Sequence, residues 1–270
     1  MGRDSKENSV RKRILGYSCR GDHIMEQIPK IIHFIWFGRN PYPPLVKMCM
    51  ESWKKYLPDY QIMEWNEDSF DITSNKYVQQ AYEAKKWAFV SDYVRLYALY
   101  HYGGIYCDTD VEVLKSLDEF LKDEIFSGFE AKDSVPTGIM GAKKRNKVIE
   151  YLLSYYDNHE FLNTDGSYDM VTNVKIITQM LTEKGLKLNG KKQCIDGFTM
   201  YPQIYFCPNN FSRVFNIASK KSYTIHHFSG SWVEEPKKNN GTFLFRIRRY
   251  LVGVVRNTLG TPFLERIQRL

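Results

Sequence analysis

Several common protein classes are excluded by what this chain lacks. Its 270 residues hold five cysteines, an odd number with no Cys-x-x-Cys pair, so no disulfide framework is read from them. Cys19, Cys49, Cys107, Cys194 and Cys207 are expected as reduced thiols, which suits a cytoplasmic protein. No apolar run reaches the roughly eighteen residues that span a bilayer. Residues 1–13 are polar and charged, without the apolar centre of a secretory signal. There is no internal repeat, no low-complexity tract, no G-x-x-x-x-G-K-[S/T] and no G-x-G-x-x-G following a strand.

Apolar residues make up 43% of the chain, with sixteen Phe and nineteen Tyr, enough for a sizeable core. Residues 28–37 form a near-continuous apolar run before Gly38, the pattern of a buried parallel strand. Pro41, Pro43 and Pro44 form a loop that opens a helix running to Tyr56. Residues 60–65 read as a second strand, about 74–85 and 89–102 as helices, and Ile105 as the start of a third strand after a Gly103-Gly104 stop. Short strands are expected at 125–129 and 137–142, helices at 146–156 and 173–184, and late strands at 200–206 and 223–228. Alternating strands and helices predict an α/β domain with a mostly parallel sheet, whose ligands bind beyond the carboxyl ends of its strands. Trp36 and the Asp108-Thr109-Asp110 segment both fall there.

That aspartate pair is the most informative feature. On a strand, alternate side chains share a face, so Asp108 and Asp110 are expected side by side, where two unpaired carboxylates repel. A divalent Mn²⁺ or Mg²⁺ ion held by oxygen ligands removes the repulsion and can clamp phosphate oxygens. The bland alternative is two solvated acids in a turn. Asp92 and Arg95 lie three apart on the preceding helix and so share a face, either as part of the same site or as a buried structural ion pair. At 226–232 two adjacent histidines precede a Ser-Gly-Ser-Trp stretch, and alternation lets at most one of them join the aspartates.

The charge is uneven. Residues 237–270 carry eight Lys and Arg against the single acid Glu265, which accounts for the whole net charge of +7. Phe243, Leu244, Ile247, Tyr250, Leu251, Val254 and Val255 recur there at helical spacing, with arginines on the remainder. A basic amphipathic helix fits an anionic membrane surface; docking on the domain is the alternative, and no nucleic-acid motif accompanies it. Three parts are therefore expected: an extension over 1–24, a domain over 25–236 and the basic tail over 237–270. Met25 is a possible alternative start.

Residues 28–38, the Glu51-Ser-Trp-Lys, Pro58-Asp-Tyr and Trp65-Asn66 segments, and above all Ala88-Phe-Val-Ser-Asp-x-x-Arg followed by Tyr-Gly-Gly-Ile-Tyr-x-Asp-Thr-Asp110 resemble glycosyltransferase family 32. This family includes capsule, lipopolysaccharide and yeast Golgi mannosyl transferases, and the same pattern recurs in the large clostridial glucosylating toxins. The resemblance is dense over about 28–120 and returns at the His-His-x-x-x-Ser-Trp segment. It implies a GT-A fold, a nucleotide-sugar donor (a UDP-sugar first, GDP-mannose next), a saccharide or lipid-linked oligosaccharide acceptor, and retention of anomeric configuration. It further implies that Trp36 stacks on the base and that Asp92 and Arg95 contact ribose or donor sugar. Tyr106 would then approach the diphosphate, Asp108, Asp110 and His227 would bind the metal, and Trp232 would cover the leaving group. Glu130 and Asp169 are available acids, but neither is singled out as a nucleophile. Two other readings stay open: a haloacid-dehalogenase-type phosphatase, which would want its motif on the first strand, and a catalytically decayed membrane scaffold.

Overall fold

In a computed structural model, residues 27–136, 138–208 and 218–229 are described. The expected extension over 1–24, Trp232 and the basic tail over 237–270 lie outside the described residues. β1 (Ile31–Ile35), β2 (Gln61–Trp65) and β3 (Gly104–Cys107) run parallel, with β1 in the middle. β5 (Ile125–Gly128) and β8 (Phe198–Tyr201) share that direction, while β6 (Ile139–Ala142) and β7 (Gln193–Ile195) oppose it. The order across this seven-stranded sheet is β2-β1-β3-β6-β5-β8-β7. It is the mostly parallel α/β sheet that the sequence predicts. β4 (Val111–Val113) and β9 (Thr224–His226) form a separate antiparallel ribbon.

Helices cover both faces. α1 (Pro44–Tyr56) starts with a proline in its first turn, where no amide is needed. α2 (Lys76–Glu83) is capped by the Asn75 side chain, which accepts from the Val78 amide. α3 (Trp87–Tyr102) ends at Gly103, whose φ of 68° a side chain would resist. α4 (Lys147–Leu153) and α5 (Asn173–Glu183) complete the same layer, and α6 (Gln203–Phe206) is a single turn. β3 shows why its sequence is apolar throughout. Ile105 and Cys107 pack with Trp53 of α1 on one face, and Tyr106 packs among the α3 residues on the other. A strand covered on both sides has no polar face.

Two expectations change. The strand predicted over 200–206 stops at Tyr201, because Pro202 has no amide for the ladder and instead opens α6. β3 ends at Cys107, so Asp108 and Asp110 lie in the turn joining β3 to β4 and not on the strand itself. The Asp108 amide donates to the Gly138 carbonyl (2.8 Å) and the Val111 amide to the Asp108 carbonyl (2.9 Å). That turn, not strand alternation, sets the directions of the two carboxylates.

The floor of the sheet is tied by one buried imidazole. His33 is wholly buried on β1; its Nε2 lies 2.7 Å from the Gly103 carbonyl, and Trp65 of β2 donates its indole N–H to Nδ1 at 3.1 Å. These partners require the neutral ring protonated at Nε2. Burial pushes its pKa down to about 4, against the Gly103 hydrogen bond that raises it.

Candidate active site

Parallel strands β1 and β3 put Trp36 and the Asp108–Asp110 turn at the same edge of the sheet. α3 runs back along β3, so its first turns, with Asp92 and Arg95, reach that edge as well. The Arg95 Nη2 lies 3.0 Å from Asp92 Oδ1, and its Nη1 lies 3.4 Å from Asp108 Oδ1. Its guanidinium also stacks 4.5 Å over the Tyr106 ring, while Nε donates to the Ser91 carbonyl. Tyr106, which is buried, donates its hydroxyl to Asp108 Oδ1 at 2.5 Å. Asp92 and Arg95 thus form a buried ion pair, and the same guanidinium also reaches the aspartate motif.

Charge is shared unequally in this group. Burial raises the Asp92 pKa to about 6 against the pull of Arg95 and the Asn173 amide. Burial also disfavours the Arg95 charge, but Tyr106, Asp108 and Asp92 outweigh it and hold the guanidinium protonated. One guanidinium divided between two carboxylates leaves Asp92 only partly compensated.

Asn173, at the start of α5, is a site-supporting residue that the sequence does not reveal. Its amide donates to Asp92 Oδ2 (3.1 Å), and its side chain donates to the Asp92 carbonyl (2.9 Å) and to the Tyr156 hydroxyl (3.1 Å). An Asn opening an apolar-periodic segment reads as an ordinary helix start, and nothing in the sequence ties it to a residue eighty positions earlier.

On the other side of the turn the ribbon brings in an imidazole. It is His226, not His227 as the resemblance implied. His226 Nε2 lies 3.2 Å from Asp110 Oδ1 and 3.7 Å from Asp108 Oδ2. The reason is register: Val111 pairs with His226, so the next residue turns to the opposite face. There His227 Nε2 sits 2.9 Å from Glu112 Oε2. Asp110 further accepts from the Ser229 amide at 2.7 Å. Burial would raise the Asp110 carboxyl, but His226 and Ser229 overcome it and hold the pKa well below the usual range. Conversely, burial would lower His226, yet hydrogen bonds to Asp110 and Cys207 and the charges of both aspartates raise it far above an ordinary histidine.

The ligand atoms of Asp108, Asp110 and His226 all lie within 4.8 Å of one another. An octahedral ion with bonds of about 2.1 Å needs neighbouring ligand atoms ~3 Å apart, and the two imidazole–carboxylate separations are close to that. Two carboxylate oxygens and one nitrogen suit a hard to borderline divalent ion. The three side chains therefore fit a metal, with His226 taking the place expected of His227.

Trp36 is half-buried just past β1, with its indole N–H donated to the Asn40 carbonyl at 2.6 Å and its ring edge-on to Tyr42. It lines an open cavity with Arg39, Asn40, Pro41, Tyr42, Glu64, Asn66 and Glu67. The aspartate motif follows the third strand, which is not where the phosphatase alternative needs it.

Residues 43–127 match the family described as the glycosyltransferase sugar-binding region containing a DXD motif. Inositol phosphoceramide mannosyltransferase 3 of Schizosaccharomyces pombe is 29% identical over 142 residues, covering 50% of this chain and 40% of that protein. Mannosyl phosphorylinositol ceramide synthase CSH1 of Saccharomyces cerevisiae is 31% identical over 143 residues, 48% of this chain and 37% of that protein. The chain thus spans less than half the length of these relatives. Among solved structures, the glycosyltransferase PaToxG aligns at 20% identity with a TM-score of 0.44, covering 60% of this chain and 73% of that one. The galactosyltransferase LgtC aligns at 13% identity with a TM-score of 0.42, covering 83% and 95%. The resemblance read from the motifs is borne out: the stretch that carries it matches the glycosyltransferase sugar-binding region containing a DXD motif.

Proposed function

We propose that this protein is a metal-dependent retaining glycosyltransferase that moves a hexose from a nucleotide sugar to a saccharide acceptor. The observation that carries the reading is the convergence of Asp108, Asp110 and His226 from two separate elements, with Arg95 immediately behind Asp108. Two carboxylates and an imidazole brought to one point are a donor set suited to a hard or borderline divalent ion. Asp108, Asp110 and His226 would hold Mn²⁺ or Mg²⁺. When bound, the ion acts as a Lewis acid on the departing diphosphate.

The remaining work belongs to the chain. Tyr106 and Arg95 fix one oxygen of Asp108 and leave the other to face the cation site. Asp92, oriented by Asn173, sits beside Arg95 as an acceptor for hydroxyls of the ribose or donor sugar. Trp36 offers its ring to the base at the open cavity past β1. A fixed cation and fixed charges aimed at the leaving group need no reorganisation during reaction. No side chain is assigned as a nucleophile.

The mannosyl relatives, one named for inositol phosphoceramide and the other for its mannosylated form, support a lipid-borne acceptor and put a mannose donor beside the UDP-hexoses favoured from the sequence. A cytoplasmic, peripherally membrane-bound enzyme of capsule, lipopolysaccharide or other polysaccharide synthesis, anchored through 237–270, completes the proposal. Among the described residues no helix is long and apolar enough to cross a membrane.

The test is hydrolysis of a panel of UDP- and GDP-sugars with Mn²⁺, with and without chelator, alongside Asp110→Ala. Turnover of one donor that needs metal and is lost in the variant supports the proposal. No turnover, with no metal-dependent thermal shift, overturns it.

A further inference from the structure

The two oxygens of Asp108 have separate duties. Oδ1 receives the Tyr106 hydroxyl and faces Arg95. Oδ2 points the other way, 3.7 Å from His226, and is the only oxygen of this carboxylate left for a cation. Behind Oδ2 stands the backbone of Gly138, one residue before β6. A Cβ at Gly138 would lie 2.7 Å from Asp108 Oδ2, 2.9 Å from Val111 Cγ2 and 3.2 Å from His226 Cε1. Three of the closest surroundings of the metal-binding group would thus meet one added methyl.

We infer that Gly138 is a positioning residue of the cation site: its missing side chain is the space in which Asp108 Oδ2 and the His226 ring approach each other. The inference rests on the metal reading above. The carboxylate cannot simply rotate away from a methyl, because turning Oδ2 also turns Oδ1 off Tyr106 and Arg95. The backbone cannot retreat either. The Gly138 carbonyl accepts the Asp108 amide at 2.8 Å, so the turn carrying the motif is tied to the residue that would displace it. Three residues earlier, Val135 is held by Thr178 of α5 through both its amide (3.0 Å) and its carbonyl (2.6 Å). The strain must then fall on the ligand atoms. Outer partners that orient metal ligands typically change affinity 10–100-fold when lost.

The experiment titrates the full chain and Gly138→Ala with Mn²⁺, reading free ion by electron paramagnetic resonance, and records thermal unfolding of both in chelator. The expected result is an affinity weaker by about 10–100-fold in the variant, with both proteins unfolding cooperatively in chelator and the variant at a somewhat lower midpoint. Equal Mn²⁺ affinity in the two proteins overturns the inference. If the parent itself binds no Mn²⁺, it is the metal reading that fails. Should Gly138→Ala not fold, Gly138→Ala combined with Val111→Ala removes the second close contact and is compared with Val111→Ala alone. Weaker binding in the double variant supports the positioning role. Failure of the double variant to fold makes the glycine a folding requirement and overturns the inference.

Discussion

On one flank of the aspartate turn, Asp108 faces Arg95, a guanidinium that keeps its charge at any pH the fold survives; on the other, Asp110 faces His226, whose charge is a proton it can give up. The first flank is sealed by side chains packed in the core between α3, β3 and α5. The second is assembled by a two-stranded ribbon at the margin of the domain. A permanent charge can only position, whereas an exchangeable one can be replaced by a metal ion. The architecture thus separates a fixed half of the site from a replaceable half.

The sharpest way to break this comparison is Arg95→Ala. Removing one partner of a buried ion pair leaves the other charge uncompensated, at a cost of ~3–5 kcal/mol, and added Mn²⁺ should restore little of it. Chemical denaturation with and without metal checks both parts; full recovery on adding metal would erase the distinction. Close behind comes the floor beneath the fixed half. His33, held down to about 4 in the fold, binds its proton only in the unfolded chain between about pH 6.5 and 4. Its contribution is present above the unfolded value and is lost as pH falls through that window, by ~3 kcal/mol. The stability difference between the parent and His33→Gln should therefore shrink by about that amount from pH 7 to pH 4. A difference that stays constant contradicts the neutral buried ring.

Next in size is the replaceable half. Mn²⁺ at a hundred times its dissociation constant should stabilise the parent by about 2.7 kcal/mol and Asp110→Asn hardly at all, as differential scanning would show. An effect of similar size sharpens the register of the ribbon. His226→Ala should weaken Mn²⁺ binding on the order of 100-fold, whereas His227→Ala, whose ring sits against Glu112, should change it by less than a few-fold. The reverse ranking would mean that the ribbon pairs one residue out of step.

Much of this was readable in the sequence, and the residues show where reading stopped. Asp92, Arg95, Tyr106 and the aspartates lie within one helix-turn-strand unit, so nearness in sequence brings them to one edge of the sheet, although the turn after β3 and not strand period aims the carboxylates. His226 and Asn173 belong to elements far along the chain, and their arrival depends on strand register and on how a helix docks. Adjacent histidines make that dependence acute, since a shift of one residue exchanges them. β4 and β7, of three residues each, were missed because so short a strand shows no period. The turn into α6 was legible in principle, since Pro202 marked it.

The ribbon also bears on the order in which the protein is made. Its first strand is anchored early: the Trp53 indole of α1 donates to the Val111 carbonyl at 2.8 Å, and the Ser52 hydroxyl accepts the Val113 amide at 2.9 Å. The second strand carries His226 and is synthesised more than a hundred residues after Asp110. A chain that ends before the second strand therefore carries both aspartates without the imidazole that meets them. The imidazole arrives last, so possession of a complete cation site certifies that translation has passed the end of the sheet.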